Sequence, residues 1–181
     1  MSTLRKAGIR AVLTGGACAA FYSGGVYHSE DVDVVLQGSP SQKVLDDAMG
    51  TVGFRRSVDH YEHPKTRYFV EFPRGPLSIG DDVAIRPVKR QIAGVPVRIL
   101  SPTDSCRDRL AAFYYWHDRQ SLATAISIGL RNRVDLGKIG AWSEREDAGD
   151  AFEEFARELR AARTTGRRRM PEPSPRTSSR P

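Results

Sequence analysis

The segment SEDVDVVL, residues 29–36, decides the fold. It places Asp31 and Asp33 two positions apart inside an apolar run, and on a strand this spacing puts both carboxylates on one face. Val32 and Val34 then occupy the opposite face. Two like charges so close together repel each other, and burial raises that penalty. The pattern therefore predicts a strand whose carboxylates share a divalent cation. Mg²⁺ fits because it binds one or two carboxylates and takes its other oxygens from water and phosphates.

A pair of glycines, Gly15 and Gly16, precedes this segment and follows the apolar run of residues 9–13. Because they carry no side chains, the glycines let a phosphate approach backbone N–H groups at the start of the next helix. They also suit a strand-to-helix turn that needs a positive φ, and the two interpretations are compatible. Together with the acidic strand, the glycines predict a nucleotide-binding site.

The Gly-Gly turn, a short helix and the Ser-x-Asp-x-Asp string resemble the polymerase-β-like nucleotidyltransferase superfamily. Within it, the sequence is most similar to toxin nucleotidyltransferases of the abortive-infection type, the AbiEii-like proteins that include the MenT toxins. The motif matches cover residues 9–36, and residues 67–77 and 101–130 are more weakly similar. The resemblance implies a Mg²⁺-dependent enzyme that moves NMP from an NTP to an acceptor hydroxyl.

A third carboxylate usually completes a two-metal site or helps to deprotonate the attacking hydroxyl. Glu71 is the candidate, because it lies in the otherwise apolar run of residues 68–72, where an unpaired charge is destabilising. The superfamily resemblance also implies a third acid on a later strand beside the Asp-x-Asp strand. The structural alternative is an edge-strand glutamate that faces water or Arg74. We predict that Asp31, Asp33 and Glu71 are the catalytic residues and the metal ligands.

The resemblance assigns nucleotide binding to five further residues. Gly15, Gly16 and Ser29 would receive the triphosphate, and a serine at this position also suits a turn or a helix cap. The similar toxins often carry a lysine and an acid on their later helices, and Arg109 and Asp118 occupy those positions here. Arginine in place of lysine is a departure, although a guanidinium can clamp a triphosphate through two hydrogen bonds. The alternative is a network of structural ion pairs formed by residues 107–109, 118 and 119.

The length of 181 residues suits one domain, or a small α/β domain with a helical extension, and allows a sizeable core. No apolar stretch is long enough to span a membrane and the N-terminus lacks a signal-peptide pattern, so we expect a cytoplasmic protein. Cys18 and Cys106 show neither a disulfide framework nor metal-ligand spacing. We expect both cysteines to be reduced and buried.

The net charge of +6 is concentrated at the C-terminus. Residues 164–181 carry five arginines and one glutamate, which leaves a charge of +2 for residues 1–163. The prolines, serines and arginines of residues 164–181 predict a disordered basic tail. Such a tail can contact RNA phosphates, or it can remain solvated and passive.

The order of the patterns predicts an α+β fold with three segments. Residues 1–100 would form a small mixed β-sheet nucleotidyltransferase core with helical cover, residues 101–163 a C-terminal helical bundle, and residues 164–181 the disordered basic tail. Expected strands are residues 9–13, 31–37 and 67–72, with a hairpin formed by residues 88–92 and 95–100. Expected helices are residues 17–23 and 41–49, followed by helical periodicity from residue 102 onward.

The sequence thus predicts a nucleotidyltransferase that binds Mg²⁺ and an NTP, and no recognisable motif encodes its acceptor. The toxin resemblance implies a tRNA 3′ end as the first acceptor and a cognate antitoxin as a protein partner. A protein hydroxyl or an aminoglycoside-like small molecule is the second choice of acceptor. The alternative function is a non-catalytic nucleotide- or RNA-binding module of a toxin–antitoxin pair. Nucleotide binding that does not depend on Mg²⁺ would favour that module.

Overall fold

The computed structural model describes residues 1–168, which form one seven-stranded sheet and seven helices. The strands are β1 (Ala11–Leu13), β2 (Asp31–Leu36), β3 (Arg55–Arg56), β4 (His60–Glu62), β5 (Phe69–Glu71), β6 (Val88–Ile92) and β7 (Val95–Ile99). The helices are α1 (Ser2–Lys6), α2 (Gly15–Ser23), α3 (Gln42–Gly50), α4 (Pro102–Trp116), α5 (Arg119–Arg131), α6 (Leu136–Arg145) and α7 (Gly149–Arg168). The predicted α+β class is confirmed.

The sheet is mixed, with the strand order β3-β4-β5-β2-β1-β7-β6. Strand β2 is central: it pairs antiparallel with β1 and parallel with β5. Because side chains alternate along a strand, Val32 and Val34 point to the face that joins the hydrophobic core, together with Leu13 and Val70. The polar residues of β2 lie on the other face. Packing of Val32 and Val34 into the core therefore fixes the face of the sheet on which Asp31 and Asp33 lie.

Local signals explain where several elements begin. The hydroxyl of Ser41 accepts a hydrogen bond from the Val44 N–H at the start of α3. At the start of α4, the Ser101 hydroxyl accepts the Asp104 N–H at 3.0 Å, and Pro102 occupies the first turn. These caps confirm the predicted starts of both helices.

The predicted hairpin is also confirmed, because β6 and β7 pair antiparallel around a two-residue turn. Ala93 and Gly94 both have positive φ, 48° and 76°. Positive φ at both central residues is the signature of the turn whose twist matches two antiparallel strands. Ala93 is the residue that bears the strain here, because it has a Cβ atom.

Other boundaries differ from the sequence-based expectation. Strand β1 begins at Ala11, two residues later than predicted, and α2 begins at Gly15, two residues earlier. The short strands β3 and β4 and the helix α1 were not predicted. The two strands are rich in charged residues, so neither shows the alternation of apolar and polar residues that predicts a strand. They form by pairing with each other and with β5.

One cluster of buried side chains extends from the sheet into the helices that follow it. Leu13 and Ile99 of the sheet belong to it, as do Leu110, Ile128 and Phe155 of the helices. This core therefore extends across residue 100, where the sequence analysis divides a sheet region from a helical region. That division remains a prediction. Cys18 and Cys106 are free and lie in the same core, and burial raises the pKa of the Cys18 thiol to about 12.

Helix α7 overlaps the first residues of the predicted tail. The helix continues through residues 164–168, where the hydroxyls of Thr164 and Thr165 donate to the carbonyls of Arg160 and Ala161 at 3.1 Å. The arginines that follow are good helix formers and extend a helix that is already nucleated. Residues 164–168, at the start of the predicted tail, are helical, and residues 169–181 lie outside the described part of the chain, so the disordered tail remains a prediction. None of the helices in residues 1–168 combines the length and the apolar character that a membrane crossing needs.

A buried arginine joins the helices to the loop between β5 and β6. Arg107 is fully buried, and its guanidinium donates to Asp104 at 3.0 Å and to Asp82 of the loop at 2.6 Å. Its guanidinium carbon also lies 4.9 Å from the centroid of the Trp142 ring. Lys138 donates to the same Asp104 carboxylate at 2.8 Å. The network satisfies charges that would otherwise be strongly destabilising in the core.

We predict that Arg107→Met lowers the free energy of unfolding by about 3–5 kcal/mol, because it leaves buried acids without their main cation. The measurement is urea denaturation followed by circular dichroism. Arg119→Met is the matched control: Arg119 pairs with Glu154 at 2.6 Å but is 60% exposed, so its loss should cost at most about 1 kcal/mol. Equal effects of the two substitutions would contradict a stabilising role for the buried network.

Candidate active site

The parallel pairing of β2 with β5 brings the three predicted acids to one face of the sheet. Asp33 is the register partner of Glu71, and Asp31 lies two residues before Asp33 on the same face. Neighbouring strands lie about 4.8 Å apart, so the backbone positions that carry the three acids are close neighbours. Asp31 is exposed, whereas Asp33 and Glu71 are half-buried. The structure therefore brings together the three residues that the sequence selected as a set.

The acids repel one another. Burial raises the pKa of Asp33 above its usual value, and the charges of Asp108 and Asp31 raise it further. Burial likewise raises the pKa of Glu71, followed by the charges of Asp33 and Asp31. A cation bound at this face would reduce the repulsion among these carboxylates.

The glycine pair lies directly against these acids. Thr14 precedes α2, and its N–H donates to the Asp33 carbonyl at 3.0 Å. Gly15 has φ +57°, and a Cβ atom placed there would overlap the Asp33 carboxylate. A Cβ atom on Gly16 would overlap the Ser29 side chain. The absence of two Cβ atoms therefore lets the acidic strand and Ser29 approach the first turn of α2.

The first turn of α2 is also electrostatically matched to anions. The backbone N–H of Gly16 donates toward the Asp33 carboxylate and partly offsets the rise of its pKa. Free N–H groups and the positive end of the helix dipole attract negative groups at a helix N-terminus. Gly15, Gly16 and Ser29 thus occupy one corner of the site, next to Asp33.

Helix α4 adds Arg109 to this corner. The side chain of Arg109 is only 15% exposed and donates from Nε and Nη2 to one oxygen of Asp108, at 3.1 and 2.8 Å. Burial opposes the charge of Arg109, but Asp108, Tyr27 and Asp33 outweigh it and hold its pKa above the usual value. Arg109 is therefore a charged group at the edge of the acidic site.

Asp118 has a local structural role. Its carboxylate caps α5 by accepting the N–H of Gln120 at 2.9 Å and the hydroxyl of Ser121 at 2.6 Å. These hydrogen bonds, the one from Ser121 first, lower its pKa, and Arg109 contributes a smaller attraction. Asp118 is therefore within electrostatic range of Arg109, while its hydrogen bonds belong to the helix cap.

Asp108 is the residue of this site that the sequence analysis placed only in a structural ion-pair network. Its charge acts on Asp33 more strongly than that of Asp31 does. The only sequence signal for Asp108 is its position relative to the buried residues of the same helix. Arg107 and Leu110 are fully buried, and Asp108, which lies between them in the sequence of the same helix, acts by its charge on Asp33.

The donor set fits Mg²⁺. All three acids offer oxygen ligands, and the glycines bring the first turn of α2 against Asp33 and Ser29. Within residues 1–168, no three His, Cys, Asp or Glu side chains converge as a preformed metal cluster. Mg²⁺ does not require one, because it typically combines one or two carboxylates with waters and substrate phosphates.

Comparison with known proteins identifies the fold. No protein-family description matches the sequence, and no curated protein matches it. The solved structures that match are nucleotidyltransferases or resemble them, so the chain has a nucleotidyltransferase fold.

The similar structures come from two proteins. One is an antigenic nucleotidyltransferase-like protein from Paracoccidioides brasiliensis, with 17% identity, 70% coverage of each chain and a TM-score of 0.52. The other is the antibiotic-resistance factor ANT(2'')-Ia. Its solution structure matches with 15% identity, 93% coverage of each chain and a TM-score of 0.51. Its crystal structure with adenylyl-2''-tobramycin matches with 16% identity and a TM-score of 0.51, over 84% of this chain and 92% of that one.

We predict that Gly15→Ala lowers NTP affinity in addition to straining the backbone. An alanine in the left-handed region loses about 1–2 kcal/mol of stability, and at Gly15 its Cβ atom also displaces Asp33. Gly25→Ala is the matched control, because Gly25 has φ +77° and nothing within 4 Å of the added Cβ atom. Calorimetric NTP titrations with Mg²⁺ should show at least a tenfold loss of affinity for Gly15→Ala alone. Equal affinities in the two variants would mean that the approach of Asp33 to Gly15 has no part in binding.

A second prediction concerns pH. Because the pKa of Asp33 is raised in the folded protein, folding takes up protons between the ordinary aspartate value near 4 and the raised one. The stability contributed by protonated Asp33 is therefore lost as pH rises through this interval. In EDTA, the melting temperature of Asp33→Asn minus that of wild type should increase with pH and then level off. A variant that is less stable than wild type at neutral pH would show that Asp33 is structural.

Proposed function

We propose that this chain is a Mg²⁺-dependent nucleotidyltransferase that moves NMP from an NTP to an acceptor hydroxyl. The observation that carries the proposal is the register of Asp33 with Glu71 beside the first turn of α2. It joins an acidic metal-binding face to a backbone site suited to phosphate. The nucleotidyltransferase fold supports the same class of reaction.

The residues divide the work by their positions. Asp31 and Asp33 would hold the metal, with Glu71 completing the ligand set, and bound Mg²⁺ would neutralise charge on the triphosphate and on the departing pyrophosphate. Gly15, Gly16 and Ser29 would bind phosphate oxygens, and Arg109 would supply a guanidinium to the same group. Asp118 would act on the nucleotide side through its attraction to Arg109.

Glu71 is the proposed proton acceptor. Its raised pKa makes the carboxylate a better base than an exposed glutamate. As the acceptor oxygen forms its bond to the α-phosphorus, its proton passes to Glu71, and the bond from the α-phosphorus to the pyrophosphate oxygen breaks. The electron pair of that bond leaves with pyrophosphate.

Room for an acceptor lies beside Glu71. A cavity of about 410 Å³ has Glu71 in its wall together with Arg56, Asp59, Tyr61 and Arg74. An acceptor held there would lie next to Glu71. The mixture of cationic and aromatic groups suits a hydroxyl-bearing molecule with phosphate or ring surfaces.

Two acceptors have separate support. The resemblance of residues 9–36 to toxin nucleotidyltransferases favours a tRNA 3′ end, and with it a toxin role in the cytoplasm and a cognate antitoxin as partner. The fold likeness to ANT(2'')-Ia, whose structure contains adenylylated tobramycin, favours an aminoglycoside-like molecule. We place the tRNA 3′ end first, because the Ser-x-Asp-x-Asp string carries that resemblance.

The test is incubation with each labelled NTP and Mg²⁺, with total RNA in one arm and aminoglycosides in the other. Transfer to one RNA size class supports the tRNA acceptor, and transfer to an aminoglycoside supports the second. NTP binding that is unaffected by Mg²⁺ and by Asp33→Asn, without transfer in either arm, would favour a non-catalytic binding module.

We predict that Glu71→Gln lowers kcat by about 100-fold or more and changes NTP affinity little, because proton transfer is needed mainly in the transition state. Single-turnover kinetics and NTP titrations measure the two effects separately. Glu62→Gln is the control, because it removes an exposed carboxylate from the adjacent strand β4. If Glu71→Gln lowered NTP affinity as much as kcat, Glu71 would serve in substrate binding and not in proton transfer.

A further inference from the structure

The pairing of Asp108 with Arg109 is unusual for neighbours on a helix. Residues i and i+1 point about 100° apart around an α-helix and do not normally face each other. Here Nε and Nη2 of Arg109 nevertheless donate to one oxygen of Asp108, at 3.1 and 2.8 Å. The guanidinium is thus held along one edge. Its remaining donors, on Nη1 and Nη2, face away from Asp108.

Asp33 is a second carboxylate with which the Arg109 guanidinium could pair in place of Asp108. Asp33 and Tyr27 both act on the charge of this guanidinium, and both lie against the glycine pair: a Cβ atom on Gly15 would overlap the Asp33 carboxylate, and one on Gly16 would come within 3.2 Å of the Tyr27 ring. A guanidinium that paired with Asp33 would occupy the oxygens that a cation needs. Arginine does not lose its proton in proteins, so only a competing partner can keep it away.

We propose that Asp108 is a positioning residue that keeps Arg109 off Asp33 and points its free edge toward the phosphate corner formed by Gly15, Gly16 and Ser29. The inference rests on the proposed function and adds to it a residue that binds neither metal nor nucleotide. Asp108 leaves Asp33 available to the cation while Arg109 remains available to the triphosphate.

This arrangement predicts how single and double substitutions differ. In Asp108→Asn, Arg109 loses its anionic partner and turns to Asp33, so both the cation and the triphosphate lose a ligand. In Asp108→Asn combined with Arg109→Gln, no guanidinium is left to block Asp33. Cation binding should then recover, whereas triphosphate binding should remain weak.

The experiment measures two affinities of the full chain. Mn²⁺ alone, followed by electron paramagnetic resonance, reports the cation site, and calorimetry with each of the four α,β-methylene NTPs reports the phosphate site. Asp108→Asn should weaken Mn²⁺ binding by about 10–100-fold, the range found for residues that orient metal ligands. The double variant should return to within about threefold of wild type for Mn²⁺, and not for the NTP analogues.

Two controls separate this role from general effects. Asp47→Asn removes one carboxylate of an exposed pair with Lys43 on α3 and should change neither affinity. The Mn²⁺ titrations are repeated in about 1 M salt, where the screening length is about 3 Å, so that only a direct contact with Asp33 persists. Circular dichroism and melting temperatures confirm that each variant is folded.

Unchanged Mn²⁺ affinity in folded Asp108→Asn would overturn the inference, as would a double variant no better than the single one. An effect of Asp108→Asn that vanishes in high salt would also overturn it, because the carboxylate would then act only through its charge. Wild-type protein that binds neither Mn²⁺ nor any NTP analogue would instead refute the proposed function. The two failures are thus distinguishable.

Discussion

Repulsion among carboxylates on one face of β2 and β5 is the constraint on which the rest of this structure depends. The parallel register places Glu71 beside Asp33, and the apolar residues of the same strands fix that register by packing into the core. The strands cannot slip by one residue to separate the charges, because a slip would expose the valines. The energy of folding thus maintains a local arrangement that is unfavourable by itself, as functional sites commonly do.

The groups around the acids all respond to that negative charge. The first turn of α2 approaches Asp33 with a backbone N–H, and this approach requires that Gly15 has no Cβ atom. Helix α4 contributes Arg109, whose guanidinium is paired with Asp108. The site therefore combines an excess of acid with a helix N-terminus and a paired guanidinium, and this combination suits a cation bound together with a polyanion.

The sequence was informative where a residue type and its spacing were unusual. Two aspartates in an apolar strand, a glutamate in a second one and a glycine pair could be read directly, and the structure brings all of them together. The caps of α3 and α4 and the turn at Ala93-Gly94 followed from local chemistry. These features depend on a few neighbouring residues, so one sequence is enough to find them.

The remainder depends on contacts between distant segments. Strands β3 and β4 exist because β5 offers hydrogen-bonding partners, and their own residues carry no apolar alternation. The burial of Arg107 could not be foreseen, because it requires Asp82, 25 residues earlier, and Trp142, 35 residues later. The role of Asp108 depends on how α4 is rotated against the sheet. Helix α7 extends past residue 164 because an existing helix lowers the cost of adding further residues.

The anchoring of Asp82 by Arg107 has a mechanical consequence for the segment between β5 and β6. The chain that leaves β5 after Glu71 contacts α4 at Asp82, and the helix residue that holds it lies two positions before Arg109. One buried ionic link, packed against the ring of Trp142, therefore joins the segment after Glu71 to the helix that carries Arg109. Because breaking that link would leave buried charges unpaired, we expect the two segments to move as one unit.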